Sequence, residues 1–415
     1  MQTVYTKKSG KGKISILLIL IFLTYPMREA FYFTIGILDF RWGELLLLFS
    51  PIFYFLGKWK TKGFRSHSVS NWILIFGLYS FLFDYICASK LDNDFAWKYL
   101  GRGCTMFFFI RYFEDRDLPF NIKWLIIAFK YFIVIQVIFT ILQILGIDYK
   151  YGEFLSVESG FTQRISGTAS EPGYLIPILA PSLYYFTANF KKYKIWCILS
   201  LTLVLMSRSS YGIFTLALVG IYLVFADGNV KKGIKRFSII ICSFLIALSV
   251  VSIFISGMND QVNQMTNKLF AFTTQNENDM DYSGAERSEN LYVALNAFKD
   301  CPKVNKILGN GLGATRIFCI QGVKIFQPAE EANNIYLSTL INQGIIGLCI
   351  LIILLYKVLR IRGKSNEFKA FQIGTIVQLF QYMIVGNIWL YFLWFNIGLM
   401  IMLKKEESDG TLCLQ

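Results

Sequence analysis

The chain has 415 residues, of which 55% are hydrophobic and only 16% are charged. A soluble chain of this length would carry more charge, so the composition excludes a soluble enzyme and predicts an integral membrane protein. The net charge of +14 is typical of loops on the cytoplasmic side of a membrane, and it argues against nucleic-acid binding because the basic residues alternate from loop to loop.

Long apolar runs predict about twelve transmembrane helices, because one span needs roughly 20 apolar residues. The first run, ISILLILIFLTY, follows a lysine-rich start without a small-residue cleavage site after it, so we interpret it as a span and not as a signal peptide. Lysine and arginine concentrate in alternate loops, which predicts that both termini are cytoplasmic. The predicted spans are residues 14–33, 42–57, 71–88, 97–113, 122–145, 171–190, 195–207, 209–226, 237–256, 333–356, 370–386 and 388–403.

The predicted spans divide the chain into three regions. Residues 1–256 hold the first nine spans and a short outer loop at about 146–170. Residues 257–332 form one large outer loop, and residues 333–415 hold the last three spans and a cytoplasmic tail. Loops carry sites and helices position them, so we expect any chemistry to lie between the two outer loops.

The large outer loop is predicted to be partly helical. Apolar residues recur there with the helical period, and Ser283 precedes Glu286 by three residues, as in a capping box. The glycines of ILGNGLGATR are predicted to turn the chain back toward the membrane, because no strand precedes them as a dinucleotide site would require. Cys301 and Cys319 both lie in this loop, and a disulfide between them is possible in an oxidising compartment.

Four outer arginines are candidates for binding an anion. Guanidinium groups match phosphate oxygens with paired hydrogen bonds, so several of them converging would form a diphosphate clamp. Arg208 stands out because it lies in LMSRSSYG, the tight joint between two predicted spans. For a single arginine the alternative is a side chain that reaches lipid headgroups or pairs with a nearby glutamate. The candidates are Arg164, Arg208, Arg287 and Arg316.

Acidic and amide side chains near the starts of predicted spans supply the candidates for other roles. A carboxylate in a partly dry site can act as a general base, although a carboxylate also suits any helix N-terminus. Asn333 and Asn334 precede a span, where one fits an N-cap and the other could hydrogen-bond a sugar hydroxyl, with Tyr336 stacking on the sugar ring. The scattered cysteines and one cytoplasmic histidine predict no metal site. The acidic candidates are Glu171, Glu330 and Glu331.

Four segments in this order resemble the O-antigen polymerase and O-antigen ligase superfamily. They are TQRISGTASEPGYLIPILAPSL, LVLMSRSSYGIFTLALVG, ERSENLYVALNAFKDCPKVNKILGNGLGATR and ANNIYLSTLINQGIIGLCILIILL. The resemblance implies an all-α, GT-C-like membrane glycosyltransferase without metal or cofactor. Such an enzyme works at the periplasmic face of the bacterial inner membrane and takes its glycan from an undecaprenyl-diphosphate carrier.

By position, the resemblance implies that Arg164, Arg208 and Arg287 engage the donor diphosphate. In the ligase branch a histidine commonly stands where this chain has Asn333. Its absence favours a polymerase of lipopolysaccharide or capsule repeats, which inverts the anomeric carbon in one displacement. The expected partners are lipid-linked repeat units, membrane lipids and a chain-length regulator. A ligase that uses another acceptor, and a transporter of lipid-linked sugars, are the alternatives.

Overall fold

The computed structural model describes most of the chain outside the two termini and a long stretch in the second half. The described residues are 16–24, 32–35, 38–58, 69–87, 94–115, 122–150, 153–156, 165–169, 172–207, 209, 212, 215–216, 219–220, 282–322, 334–383, 389 and 391–408. The predicted span 237–256 therefore lies outside the described residues.

Helices dominate the described residues, as the sequence predicts. The helices of the first half are α1 (Ile16–Thr24), α2 (Trp42–Leu48), α3 (Ser50–Lys58), α4 (Val69–Cys87), α5 (Asp94–Glu114), α6 (Ile122–Ile144), α7 (Pro172–Ala188) and α8 (Lys194–Met206). Those of the second half are α9 (Tyr282–Asp300), α10 (Lys303–Leu308), α11 (Ala314–Gly322), α12 (Ile335–Leu359), α13 (Asn366–Gln381) and α14 (Tyr391–Ser408).

Two short antiparallel ribbons were not predicted. Strand β1 (Tyr32–Ile35) pairs with β2 (Leu38–Arg41), and β3 (Ile147–Lys150) pairs with β4 (Glu153–Ser156). Only two residues separate the strands of each pair, the spacing of a tight hairpin. Strand β1 includes the last two residues of the predicted span 14–33, so that span ends earlier than predicted. Hydropathy alone does not reveal such a hairpin, because β1 is largely apolar and its backbone pairs with that of β2.

Within the part of the chain that the structure describes, two helices are long and apolar enough to cross a membrane, namely Lys123–Ile144 and Ile335–Leu359. Two shorter apolar helices, Val69–Phe83 and Lys194–Met206, coincide with predicted spans. These findings agree with an all-α membrane protein, whereas the predicted count of about twelve spans remains a prediction.

The core of the described bundle is formed by α5, α6, α7, α13 and α14. Their fully buried aromatic side chains include Phe109, Phe129, Phe132, Phe186, Phe371 and Trp394. Helix α7 contains Pro177 and Pro181 and is nevertheless continuous. Since Pro181 has no N–H to donate, the carbonyl of Pro177 loses its helical partner. The buried side chain of Gln378 on α13 replaces it, with Nε2 donating to that carbonyl at 3.2 Å.

Two carboxylates cap the start of helices that are distant in sequence. Glu114 accepts from the N–H of Val69 at 3.0 Å at the start of α4. Glu407 accepts from the N–H groups of Lys364 and Ser365, at 2.6 and 2.7 Å, where α13 begins. Partial burial acts to raise the pKa of Glu407, but the hydrogen bonds from Ser365 and Lys364 together outweigh it and lower that pKa.

Lys130 lies within α6, and a charge at such a depth is a candidate for function. Its ammonium group lies 5.2 Å from the ring centre of Tyr193 and 5.6 Å from that of Trp196. Both distances are within the range of a cation–π interaction. These two contacts explain how the charge of Lys130 is stabilised within α6, so no role in substrate binding is needed to explain it.

Candidate functional site

The segment that follows Arg164 and the joint that contains Arg208 meet in the structure. The backbone N–H of Ile165 donates to the carbonyl of Met206 at 3.4 Å. Arg164 directly precedes Ile165 in the sequence, and Arg208 is two residues after Met206. Both arginines lie outside the described residues, so the structure describes the backbone beside them and not their side chains.

Two buried serines hold the joint on either side of Arg208. Ser207 Oγ donates to the carbonyl of Val204 at 2.6 Å and accepts from the N–H of Ser209 at 3.4 Å. The N–H of Gly212 then donates to the carbonyl of Ser209 at 2.8 Å. A Cβ at Gly212 would lie 2.9 Å from the Val204 oxygen. The joint is therefore a tight turn that requires small residues on both sides of its arginine.

The segment 165–169 is buried, and the side chain of Gln143 on α6 holds it by hydrogen bonds. The side-chain oxygen of Gln143 accepts from the N–H groups of Ser166 and Gly167, at 3.2 and 3.0 Å. Its Nε2 lies within hydrogen-bonding distance of the Gly167 carbonyl at 3.0 Å and of Asp148 Oδ1 at 2.8 Å. One amide thus joins α6, the ribbon β3–β4 and the segment next to Arg164.

Gln136, two turns earlier on α6, holds the same segment at its next residues. It accepts from the N–H of Thr168 at 3.0 Å and donates to Thr168 Oγ1 at 2.6 Å. Gly167 has φ of 57°, and a Cβ there would lie 2.4 Å from Gln136 Oε1. The sequence analysis missed both glutamines, although two amides seven residues apart in an apolar helix are a recognisable signal.

Asn334 caps α12, as predicted for one member of the asparagine pair. Its side-chain oxygen accepts from the N–H groups of Tyr336 and Leu337, both at 3.0 Å. The Tyr336 hydroxyl donates to the carbonyl of Leu379 at 2.9 Å, and the N–H of Ile335 donates to the carbonyl of Tyr382 at 2.9 Å. The start of α12 is thereby fastened to the end of α13.

These contacts do not test the predicted role of Asn333, Asn334 and Tyr336 in substrate binding. The cap uses the carbonyl oxygen of Asn334, and the Tyr336 ring packs on the main core. Asn333, the other member of the pair, lies outside the described residues, as do Glu171, Glu330 and Glu331.

The helix predicted in the large loop is confirmed as α9, which packs against α11 and α12. It begins at Tyr282, so Ser283 lies inside the helix and the capping box predicted at that serine is wrong. Arg287 lies in the first two turns of α9, with its side chain outside the described residues. Arg316 lies on α11 and is half-buried.

The predicted turn of the glycine-rich segment is confirmed. Gly309, Gly311 and Gly313 have φ of 105°, 94° and 87°, a region that residues with a Cβ rarely adopt. The turn brings α11 onto α12, where Thr315 Oγ1 donates to Asn342 Oδ1 at 2.8 Å. The loop helices are therefore fastened to α12 about two turns below its start.

One family model matches the part of the chain that contains the joint, the loop helices and the start of α12. Residues 195–352 match the model of a family described as O-antigen ligase. The match supports the O-antigen polymerase and ligase superfamily. The matched part runs from α8 through the joint and the loop helices into α12. No curated protein matches the chain.

The apolar helices agree with this match. Members of the superfamily are membrane-integral and act on lipid-linked oligosaccharides, and α6 and α12 have the length and composition of membrane spans. The segment next to Arg164 precedes the matched part, whereas Arg208, Arg287 and Arg316 lie within it.

The possible disulfide between Cys301 and Cys319 is wrong. Both cysteines are free, and each thiol lies against a backbone carbonyl, that of Ala297 at 3.2 Å for Cys301 and that of Asn290 at 3.8 Å for Cys319. Burial raises the pKa of both thiols, for Cys319 to about 11. At neutral pH they are protonated, so they do not serve as nucleophiles.

The described residues contain no group of three or more His, Cys, Asp and Glu side chains placed to hold a metal ion. They bring together the segment beside Arg164 and the joint beside Arg208, whereas the start of α12 is held separately on the end of α13. Buried amides and hydroxyls hold these segments by hydrogen bonds. Such an arrangement can position side chains for a polar substrate.

Proposed function

We propose that the protein is a glycan polymerase of the bacterial inner membrane. It transfers a growing glycan from undecaprenyl diphosphate to the terminal sugar of a second lipid-linked repeat unit at the periplasmic face. The family match supports the wider statement, a membrane enzyme of the O-antigen polymerase and ligase superfamily that acts on lipid-linked oligosaccharides.

The observation that carries the proposal is the hydrogen bond between Ile165 and Met206. It joins two segments that are about forty residues apart in the sequence and that each carry a predicted diphosphate-binding arginine. Buried side chains hold both segments, Gln136 and Gln143 on one side and Ser207 on the other. Since preorganised cations stabilise charge that develops in a transition state, a rigid backbone beside each arginine favours this role.

In the proposed reaction, a hydroxyl of the acceptor sugar attacks the anomeric carbon of the donor glycan. The new glycosidic C–O bond forms as the bond from that carbon to the diphosphate oxygen breaks, which inverts the configuration. Arg164, Arg208, Arg287 and Arg316 stabilise the charge that the leaving diphosphate gains. Because the leaving group is a stable anion, the protein's own cations are sufficient for the step.

The proton of the acceptor hydroxyl passes to a carboxylate, with Glu171, Glu330 and Glu331 as the candidate bases. A general base contributes about 10²–10⁴ in rate. Asn334 provides the cap of α12, so we assign to Asn333 the role of orienting a sugar hydroxyl. Tyr336 is the second residue of the same helix and supplies an aromatic surface near that position.

Asn333 favours polymerase over ligase, because the ligase branch commonly has a histidine there. The ligase is the second candidate, since the matched family is described by that activity. We further propose that the chain crosses the membrane about twelve times with both termini in the cytoplasm. The active site then lies on the opposite face, and a chain-length regulator is a partner.

The decisive experiment is complementation of a deletion in the source strain, with the surface glycan separated on a gel. We expect the wild-type chain to restore a ladder of repeats, and Arg208→Ala to lose it, because removing one such stabilising group costs about 10²–10³ in rate. Arg360→Ala is the matched control: this arginine stacks on Tyr356 at the far end of α12, 4.9 Å from the ring centre.

Each alternative gives a different pattern. Polymer that forms in the deletion strain but is not attached to its acceptor indicates a ligase. If neither single repeats nor polymer reach the surface, the chain is a transporter. An Arg208→Ala variant that restores a normal ladder shows that the arginine does not hold the diphosphate.

A further inference from the structure

Helix α12 is interrupted inside the part that crosses the membrane. Gly344 has φ of 68° and ψ of −172°, a conformation that breaks the helical hydrogen-bond ladder. The helix has 25 residues, whereas a hydrocarbon core of about 30 Å takes about 20. If all of the roughly five excess residues project from the membrane at the Asn334 end, Gly344 still lies about 6 Å inside the hydrocarbon core.

The turn after α10 fills this break. In a continuous helix the carbonyls of Ile341 and Asn342 would accept from residues beyond Gly344. Instead, they accept from the N–H groups of Asn310 at 3.1 Å and Gly311 at 3.0 Å. Because an unsatisfied backbone group in lipid costs several kcal/mol, the break and the loop that satisfies it belong at the same depth.

The contact is between the two backbones, with no room for a side chain. A Cβ on Gly344 would lie 2.3 Å from the carbonyl oxygen of Ile307, and a Cβ on Gly309 would lie 2.6 Å from Gln343 Cα. The hydroxyl of Tyr79 on α4 lies 3.2 Å from the carbonyl of Leu308 and 3.1 Å from that of Gln343. The end of α10 is thereby locked between α4 and the broken helix.

The outward side of α10 is apolar. Val304 and Ile307 are three residues apart, one turn of helix, and are 63% and 48% exposed. Just beyond the break, Ile345 and Ile346 of α12 are 48% and 38% exposed. An exposed apolar side chain at the depth of a membrane span contacts lipid. Lys303 begins α10 and is exposed, and its long side chain is able to reach the headgroups from there.

We propose that α10 is a re-entrant helix, with Val304 and Ile307 in contact with lipid acyl chains. The large loop is then not wholly outside the membrane, since its residues 303–313 dip into the bilayer and complete the broken α12. The lipid bilayer is the partner that this surface fits, because the apolar face continues onto a membrane-spanning helix and carries a lysine at its start. The inference uses the membrane crossing of α12 and not the proposed glycosyl transfer.

The test places an environment-sensitive fluorophore on single cysteines introduced at positions 304 and 307. The full-length chain, with its native cysteines replaced by serine or alanine, is reconstituted into phosphatidylcholine–phosphatidylglycerol vesicles. Ile352→Cys is the lipid-facing control, because Ile352 is 53% exposed and lies deeper on α12. Arg362→Cys is the aqueous control, because Arg362 is exposed after α12 ends.

We expect blue-shifted emission and loss of fluorescence with spin-labelled lipids at positions 304 and 307, as at 352. Emission and quenching equal to those at 362 would overturn the proposal. A photoreactive amino acid at 307 in the chain with native cysteines gives a second measurement, in which phospholipid adducts support the proposal and adducts to another protein or a second copy refute it. No glycan substrate is present, so failure of the proposed enzymatic function leaves both measurements unaffected.

Discussion

Replacing Gly344 with alanine tests whether the loop and the broken helix form one unit. At φ of 68° and ψ of −172°, a conformation that is essentially confined to glycine, a residue with a Cβ is destabilised by about 1–3 kcal/mol. The added carbon would also lie 2.3 Å from the Ile307 carbonyl oxygen and 2.5 Å from Gly309 N. Both atoms belong to backbone, so relief requires that the loop moves, at about 1–3 kcal/mol for an overpacked site.

The two effects add to about 2–6 kcal/mol, which at about 1 °C per kcal/mol for a chain of 415 residues lowers the melting temperature by roughly 2–6 °C. Thermal unfolding of purified protein in detergent, followed by tryptophan fluorescence, measures this change. Limited trypsin digestion gives a second readout, because release of α10 exposes its backbone at Lys303 and Lys306 to cleavage.

Gly101→Ala is the matched control. Gly101 lies in α5, and a Cβ there would meet nothing within 4 Å. Alanine in a helix interior is favoured over glycine by about 0.5–1 kcal/mol, so this variant should be as stable as the wild type or slightly more stable. Unchanged melting and unchanged trypsin cleavage for Gly344→Ala, beside a well-behaved control, would refute the docking of the loop at the break.

Three further predictions concern the buried amide, the distant cap and the free thiols. Gln143→Leu removes the acceptor of two buried N–H groups, so we expect the free energy of unfolding, measured by thermal unfolding, to fall by at least about 2 kcal/mol. The control Gln372→Leu should lower it less, because that amide makes one long hydrogen bond of 3.4 Å. Glu407 has a lowered pKa, so its contribution to stability is present above the ordinary value of 4.5 and disappears as the pH falls through the lower value in the folded state. Glu407→Gln should therefore flatten the acid side of the stability–pH curve, and an unchanged curve would contradict the cap. Since Cys301 and Cys319 are both free, a reducing agent should leave the melting temperature and the gel mobility unchanged, whereas a shift in either would indicate a disulfide.

Local features of the chain could be predicted because their causes are local. Apolar periodicity alone predicts α9 in the loop, since the pattern of one helix face is written in neighbouring residues. The cap at Asn334 follows from a short polar side chain before an apolar run. The turn at Gly309, Gly311 and Gly313 follows from the conformational freedom of glycine.

Other features depend on residues that meet only in the folded chain. Gln136 and Gln143 look like isolated polar residues in an apolar helix until the segment 165–169 lies beneath them. Cys301 and Cys319 share a loop, yet α9 and α11 direct their thiols to different carbonyls. The sequence can mark such polar residues as unusual, but it does not identify their partners, because packing decides which group a buried polar side chain meets.

The sequence by itself determined a helical membrane protein, the order of its motifs and the family that they resemble, because hydropathy and short motifs are properties of consecutive residues. Only the tertiary structure decided that the segments beside Arg164 and Arg208 meet, and that Gly344 breaks α12 where the loop returns to it. The physical reason is hydrogen bonding. Each backbone group freed by a turn or a break needs a partner, and that partner comes from a distant part of the chain.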